Sequence, residues 1–187
     1  QKAIPQTAIR IIPDSITKKL LPFGHMQSRF PVYSMLEDAN GRFWFGLRPG
    51  QVLRFSGNIL QDWAREENWL LFNESHGYKN GYEPQMIQSQ DGSIWLASSS
   101  LDAGIQHYHN NYWENTPLVK LGGNDIHTSL IETSDGTIWA AGMALHARKN
   151  GRWKVHTPHQ LPYPIPQMML FESSDGALWV GAQAQEV

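Results

Sequence analysis

Cysteine is absent from all 187 residues, and that one absence removes disulfides, thiolate metal sites and cysteine nucleophiles together. It leaves the compartment open, because disulfides are optional in a domain of this size. A basic excess is missing too. Fifteen Lys and Arg against 17 Asp and Glu give a formal charge of −2, which excludes the strongly basic surface that nucleic acid requires. No apolar run approaches the ~20 residues of a membrane span, so no membrane insertion is expected from this segment. There is no Gly-x-Ser-x-Gly elbow, no phosphate-cradling glycine loop and no carboxylate spacing that singles out an acid/base pair. The residues therefore give no positive sign of catalysis and imply no cofactor. The chain begins with Gln1 rather than methionine and shows no signal-peptide pattern, so a processed, trimmed or excised piece is expected. Its length suits one domain better than two.

What the chain does have is repetition. Ala39-Asn40-Gly41-Arg42-Phe43-Trp44, Gln90-Asp91-Gly92-Ser93-Ile94-Trp95, Ser134-Asp135-Gly136-Thr137-Ile138-Trp139 and Ser174-Asp175-Gly176-Ala177-Leu178-Trp179 say nearly the same thing four times. Asn-Gly or Asp-Gly between apolar runs is a strong hairpin signal, and a type I′ turn, with positive φ at two residues, is the geometry it predicts. An apolar strand precedes each turn, as in Val32–Leu36 and Thr128–Ile131, and each following strand carries tryptophan three residues after the glycine. A period of 40 to 50 residues built of short strands is the signature of propeller blades. The predicted fold is all-β: a propeller of about four blades, each a four-stranded antiparallel sheet.

In chain order, residues 1–30 hold two strands, Thr7–Ile12 and Ile16–Leu21, either side of Pro13-Asp14-Ser15. Blade 1 covers 31–83, with Asn58–Gln61 as its predicted fourth strand and an insertion over 62–82. The first part of the insertion, Asp62–Phe72, reads as a short helix or a fourth strand, and its second part reads as an open loop. Blade 2 covers 84–123 and blade 3 covers 124–164, their outer strands joined by turns at Asn110-Asn111 and Asn150-Gly151. Residues 165–187 supply only the inner strands of a last blade. Strands from 1–30 are expected to complete that blade, joining head to tail and removing two open sheet edges. A larger propeller cut at whole repeats fits the same spacing.

Packing between blades is the expected role of Trp44, Trp95, Trp139 and Trp179. Gly41, Gly92, Gly136 and Gly176 are expected to form turns together with Asp91, Asp135 and Asp175. Asn40 in the first copy supports that reading, since a turn accepts either residue and acid–base chemistry does not. His107 and His109 share a strand face and are metal-ligand candidates, but no third ligand stands at a recognisable spacing, and no metal is expected. The insertion carries Trp63, Trp69, His76, Tyr78, Lys79 and Tyr82, an aromatic and polar set suited to sugars or peptides. Trp63 and Trp69 are alternatively outer-strand aromatics of a longer blade, which leaves Tyr78 and Tyr82 as the stronger candidates.

The run Ile131-Glu132-Thr133-Ser134-Asp135-Gly136-Thr137-Ile138-Trp139-Ala140-Ala141-Gly142 and its copy Phe171-Glu172-Ser173-Ser174-Asp175-Gly176-Ala177-Leu178-Trp179-Val180-Gly181 resemble the two-component regulator propeller repeat, a likeness that extends through most of residues 31–187. The resemblance implies the periplasmic or extracellular sensor part of a signalling protein, binding ligands such as glycan fragments without chemistry of its own. The Asp box of sialidases has one residue between Asp and Gly, a spacing that the adjacent Asp135-Gly136 does not fit. The leading expectation is a non-enzymatic sensor or adaptor module that binds a small ligand or a partner protein. The alternatives are a carbohydrate-active lyase or hydrolase on a propeller scaffold, and a structural half-ring completed by a second chain as a homodimer.

Overall fold

The computed structural model describes residues 9–12, 15–20, 32–47, 50–58, 61–62, 65–82, 85–100, 102–116, 129–142, 144–156 and 168–182. Strands β1 (Ile9–Ile12) and β2 (Ser15–Leu20) pair with each other in a sheet of their own. Blade 1 follows as β3 (Val32–Glu37), β4 (Phe43–Leu47), β5 (Gln51–Phe55) and β6 (Trp69–Leu71), each antiparallel to the last. Blade 2 repeats the meander with β7 (Gln85–Gln88), β8 (Ile94–Ala97), β9 (Ile105–His109) and β10 (Tyr112–Thr116). Blade 3 does so with β11 (Ser129–Glu132), β12 (Ile138–Ala141), β13 (Leu145–Lys149) and β14 (Arg152–His156). Blade 4 has β15 (Met168–Glu172) and β16 (Leu178–Ala182). The fold is an all-β propeller, as the repeat predicts.

Two turn chemistries divide the hairpins. In the Asp-Gly turns the glycine N–H donates to the carbonyl three residues back, as Gly92 to Ser89 and Gly136 to Thr133 at 2.8 Å. Only the glycines there have positive φ, between +72° and +83° at Gly41, Gly92, Gly136 and Gly176. These are type I turns followed by a left-handed glycine bulge, not the type I′ turns expected from the dipeptide. A carboxylate braces each turn: Asp91 Oδ1 accepts from Ser93 N at 3.0 Å, with the same bond at Asp135 and Asp175, and in blade 1 Asp38 Oδ1 takes Arg42 N instead. Type I′ geometry belongs instead to the outer turns, where Asn110 and Asn111 have φ of 48° and 62°, and Asn150 and Gly151 have 51° and 77°.

The fourth strand of blade 1 also differs from expectation. Asn58 starts a turn that accepts from Gln61 N and Asp62 N, so the chain reverses there, while Ile59 and Leu60 lie outside the described residues. Strand β6 takes the fourth place because Trp69 lies opposite Phe55, their rings 4.7 Å apart.

The core is a series of seams between blades. Trp44 is fully buried, stacked on Phe72 and set edge-on to Tyr108 and Trp113 of blade 2. Trp95 meets Trp153 of blade 3 edge-on and lies under the Arg148 guanidinium at 4.8 Å. Trp139 is half-buried and packs against Ala141 and Leu145, the same pair that Leu170, Leu178 and Val180 of blade 4 cover. Trp179 departs from the expectation that all four pack between blades: 63% of it is exposed. The order follows from what the next blade offers. Blades 2 and 3 present an outer-strand tryptophan, and among the described residues blade 4 has its inner strands alone and no blade follows it. The predicted splice of residues 1–30 onto blade 4 is not formed among the described residues, since β1–β2 and β15–β16 are separate two-stranded sheets.

Candidate functional site

Each blade turns on a polar hub set by its Asn-Gly or Asp-Gly hairpin. In blade 1 Asp38 Oδ2 accepts from Trp44 Nε1 at 2.8 Å and Arg42 Nε at 2.6 Å, while Oδ1 takes the N–H groups of Asn40 and Arg42. In blade 3 Trp139 Nε1 donates to Thr133 Oγ1, and in blade 4 Trp179 Nε1 donates to Ser173 Oγ. Asn40 is thus no simple replacement for Asp, because the carboxylate has moved two residues earlier, to Asp38. Burial of Asp38 raises its pKa, but the bonds from Trp44, Arg42 and Asn40 outweigh this and hold it below the ordinary value. Asp91 behaves likewise: burial opposes ionisation, and bonds from Ser89 and Ser93 with the charge of His107 bring it down to about 2. Asp135 is lowered chiefly by Lys149, whose Nζ is 2.5 Å from Oδ2, and Asp175 by the Ser173 hydroxyl.

The hubs are latched across the seams. Ala39 N donates to Gln88 Oε1 at 2.8 Å, Gln90 N to Glu132 Oε2 at 2.6 Å, and Ser134 N to Glu172 Oε2 at 2.8 Å. In every case the donor is the residue that follows the hub and the acceptor is the last residue of the next blade's first strand. No dipeptide in the sequence announces this pairing. It becomes visible only when the repeats are aligned, and Gln88, Glu132 and Glu172 then fall at one position.

The insertion is a wedge, and most of its predicted ligand-binding residues are structural. Tyr78 is 1% exposed, packs on Trp113 and donates its hydroxyl to Gly50 O at 2.5 Å; burial pushes its pKa up. That corrects its reading as an open aromatic face. Gly77, at φ +76°, lies so close to Trp113 O and the Tyr112 ring that a Cβ would approach to 2.2 and 2.5 Å. His76 completes a capping box with Asn73 around the helical turn of residues 74–76. Lys79 is tied through its backbone: its N–H donates to Gln106 Oε1, and its carbonyl accepts from Gln106 Nε2, both at 2.8 Å. Trp69 packs on Phe45 and Phe55, the outer-strand alternative. Tyr82 alone of the described set presents its ring, 58% exposed, while Trp63 lies outside the described residues.

The histidine pair gains a third partner. Strand pairing sets Glu114 directly opposite His107, and His109 Nε2 approaches Glu114 Oε1 to 2.9 Å. The hairpin arithmetic could have supplied this, because a two-residue turn at Asn110-Asn111 makes 107 and 114 partners. His107 stacks on Trp95 at 3.9 Å and 10°, and on His109 at 4.5 Å. Burial first, then the His109 and Arg148 charges, push His107 down to about 4, so its ring is neutral at neutral pH.

Antiparallel blades, seam tryptophans and a latched hairpin at each repeat define a β-propeller. Residues 27–48 match the two component regulator propeller family. Among solved structures the chain is similar to PorZ, described as an essential bacterial surface component of the type-IX secretion system of Porphyromonas gingivalis, with a TM-score of 0.58 at 17% identity over 90% of this chain. It is also similar, at TM-scores of 0.39 and 0.40 and identities of 14% and 16%, to two structures of the extracellular domain of BT4673 from B. thetaiotaomicron. One of these is described as a putative one component system and the other as a putative hybrid two component system; they align with 95% and 93% of this chain. The chain spans only 27%, 30% and 24% of the length of these three proteins. No curated protein matches the sequence.

Proposed function

We propose that the chain is a non-enzymatic recognition module, a propeller segment of a sensor or scaffold protein that works outside the cytoplasm and binds a small ligand or a partner protein. One observation carries this reading: the reactive side chains of the repeat serve the architecture. Asp91, Asp135 and Asp175 accept hydrogen bonds within their own turns, and Asp38 anchors the Trp44 indole. The family match at residues 27–48 and the surface-located relative lend support. In this reading residues 31–83, 84–123, 124–164 and 165–187 are successive blades of one unit.

Tyr82 is the ligand contact, its ring open to stack on sugar C–H groups. Calorimetric titration of the chain with a panel of neutral and acidic oligosaccharides tests this. One of the panel binds, and Tyr82→Ala abolishes the heat while Tyr78→Phe retains it. Binding that Tyr82→Ala leaves intact moves the site elsewhere, and catalytic turnover of any panel member overturns the non-enzymatic reading.

A second reading, a scaffold unit completed by a further set of blades, is favoured by the exposed Met169, Phe171 and Trp179 of blade 4. Sedimentation velocity separates the two. Self-association that Trp179→Ser abolishes supports the scaffold.

A further inference from the structure

We propose that His107, His109 and Glu114 bind a divalent transition-metal ion of the zinc class on the face of blade 2 that carries Trp95 and meets blade 3. The left-handed pair Asn110-Asn111 closes a two-residue turn, which places Glu114 across the ladder from His107 and His109 two residues further along the same strand. A ring nitrogen of each histidine and a carboxylate oxygen lie within 4.8 Å of one another. Bound to zinc at ~2.0–2.2 Å, tetrahedral donors stand about 3.4 Å apart, so binding draws the three atoms together. It also turns the His109 ring out of its stack on His107, because an imidazole lone pair lies in the ring plane and stacked rings do not aim at one ion.

The side chains that must move are the ones free to do so. His109 and Glu114 are 34% and 64% exposed, whereas the stack on Trp95 fixes the His107 ring. A second observation points to a ligand. Nε2 of His107 is buried and has no hydrogen-bond partner. Buried polar atoms are normally satisfied, and an unpartnered nitrogen on a histidine grouped with a second imidazole and a carboxylate is a group that a metal ion can complete. The donor set decides the metal class. Two imidazoles and one carboxylate suit zinc or its neighbours, while calcium and magnesium take oxygen ligands.

Water fills the fourth position, since His109 and Glu114 lie at the solvent edge. The Arg148 guanidinium over Trp95 opposes a cation, and the Asp91 carboxylate, which interacts electrostatically with His107, favours one. A metal held there clamps the outer hairpin β9–β10 to the Trp95 seam, so its effect is to stiffen the arc between blades 2 and 3.

Titration of the metal-free chain with zinc chloride, followed by calorimetry, tests the site. One equivalent binds in the micromolar range, and the thermal midpoint rises with zinc concentration as linkage requires. His107→Ala and Glu114→Gln each weaken binding about tenfold or more, as expected when one of three ligands is lost. His156→Asn, on blade 3 and outside the cluster, retains it. Cobalt in place of zinc gives the visible absorption of a tetrahedral site, and Glu114→Gln removes it. Glu114 is exposed enough for that variant to fold even if His107→Ala does not. The proposal is overturned if no saturable binding occurs up to about 1 mM zinc. It is equally overturned if Glu114→Gln binds as tightly as the unaltered chain, because the histidines alone would then account for the affinity.

Discussion

Asp91 shows how one side chain can hold a turn and carry a pH dependence. Its pKa falls from 3.8 to about 2 although burial pushes it the other way, because the Ser89 and Ser93 hydroxyls and the Ser93 N–H all donate to Oδ1. A carboxylate with a depressed folded value adds stability above its unfolded value, and that stability drains away as pH falls from about 4 to about 2. The side chain is largely open to water, so the gain is discounted for screening to the order of 1 kcal/mol. Urea midpoints measured across that range should fall for the unaltered chain, and Asp91→Asn should flatten the fall. An unchanged slope would move the effect to other acids. At Gly92 the argument is purely conformational. Its φ is +83°, and a Cβ there would meet nothing within 4 Å. Gly92→Ala should cost about 1 kcal/mol through backbone strain alone, and Gly92→Asn clearly less, since asparagine tolerates the left-handed region. Equal costs for the two would mean that the turn has left that conformation.

At the scale of elements, the wedge of residues 72–82 makes a different prediction from the one its composition suggests. Tyr78→Phe removes a buried hydroxyl that donates to Gly50 O, and should cost about 1 kcal/mol. Tyr82→Ala, on an exposed ring, should fall within about 0.5 kcal/mol of the parent. The ranking of the two unfolding midpoints checks this, and the reverse order would place Tyr78 at the surface. The hairpins, the four blades and the seam positions of the first three tryptophans are legible in the sequence because local patterns dictate them: an Asp-Gly turn, alternating strands, a fixed period. The wedge is not. Its Gly, Asn and Tyr content reads as an open loop, and what folds it inward is long-range: Gly77 against Trp113, and the contact of Gly81 with Gly50 from which a Cβ is excluded. Glu114 lies between the two cases, since hairpin register brings it to His107 while residue spacing along the strand does not. Blade 1's fourth strand is half legible: residues 62–72 read as a short helix or a fourth strand, and the choice between them is long-range, because Trp69 reaches Phe55 only once the chain has reversed at Asn58.

Over the whole molecule, stability in a stacked array is a sum of blades and seams, and each seam depends on its neighbours. The four repeat tryptophans sample that dependence with one chemistry at four depths. Trp44 is covered by three rings from the wedge and blade 2, Trp95 by Trp153 and Arg148, Trp139 by the His156 ring of its own blade and the aliphatic cluster shared with blade 4, and Trp179 by no described blade. Truncation to alanine should therefore destabilise in the order Trp44, Trp95, Trp139, Trp179. The first loss is about 3–5 kcal/mol, as for a buried aromatic, and the last is within about 1 kcal/mol. Denaturant midpoints of the four variants give the series, and hydrogen exchange in β15–β16 shows whether Trp139→Ala frees blade 4 before the rest. If Trp179→Ala costs as much as Trp44→Ala, the order collapses, and the exposed indole must be covered in solution by another blade. That outcome would favour the scaffold reading over the ligand-binding one, because a face that is buried in solution is an interface.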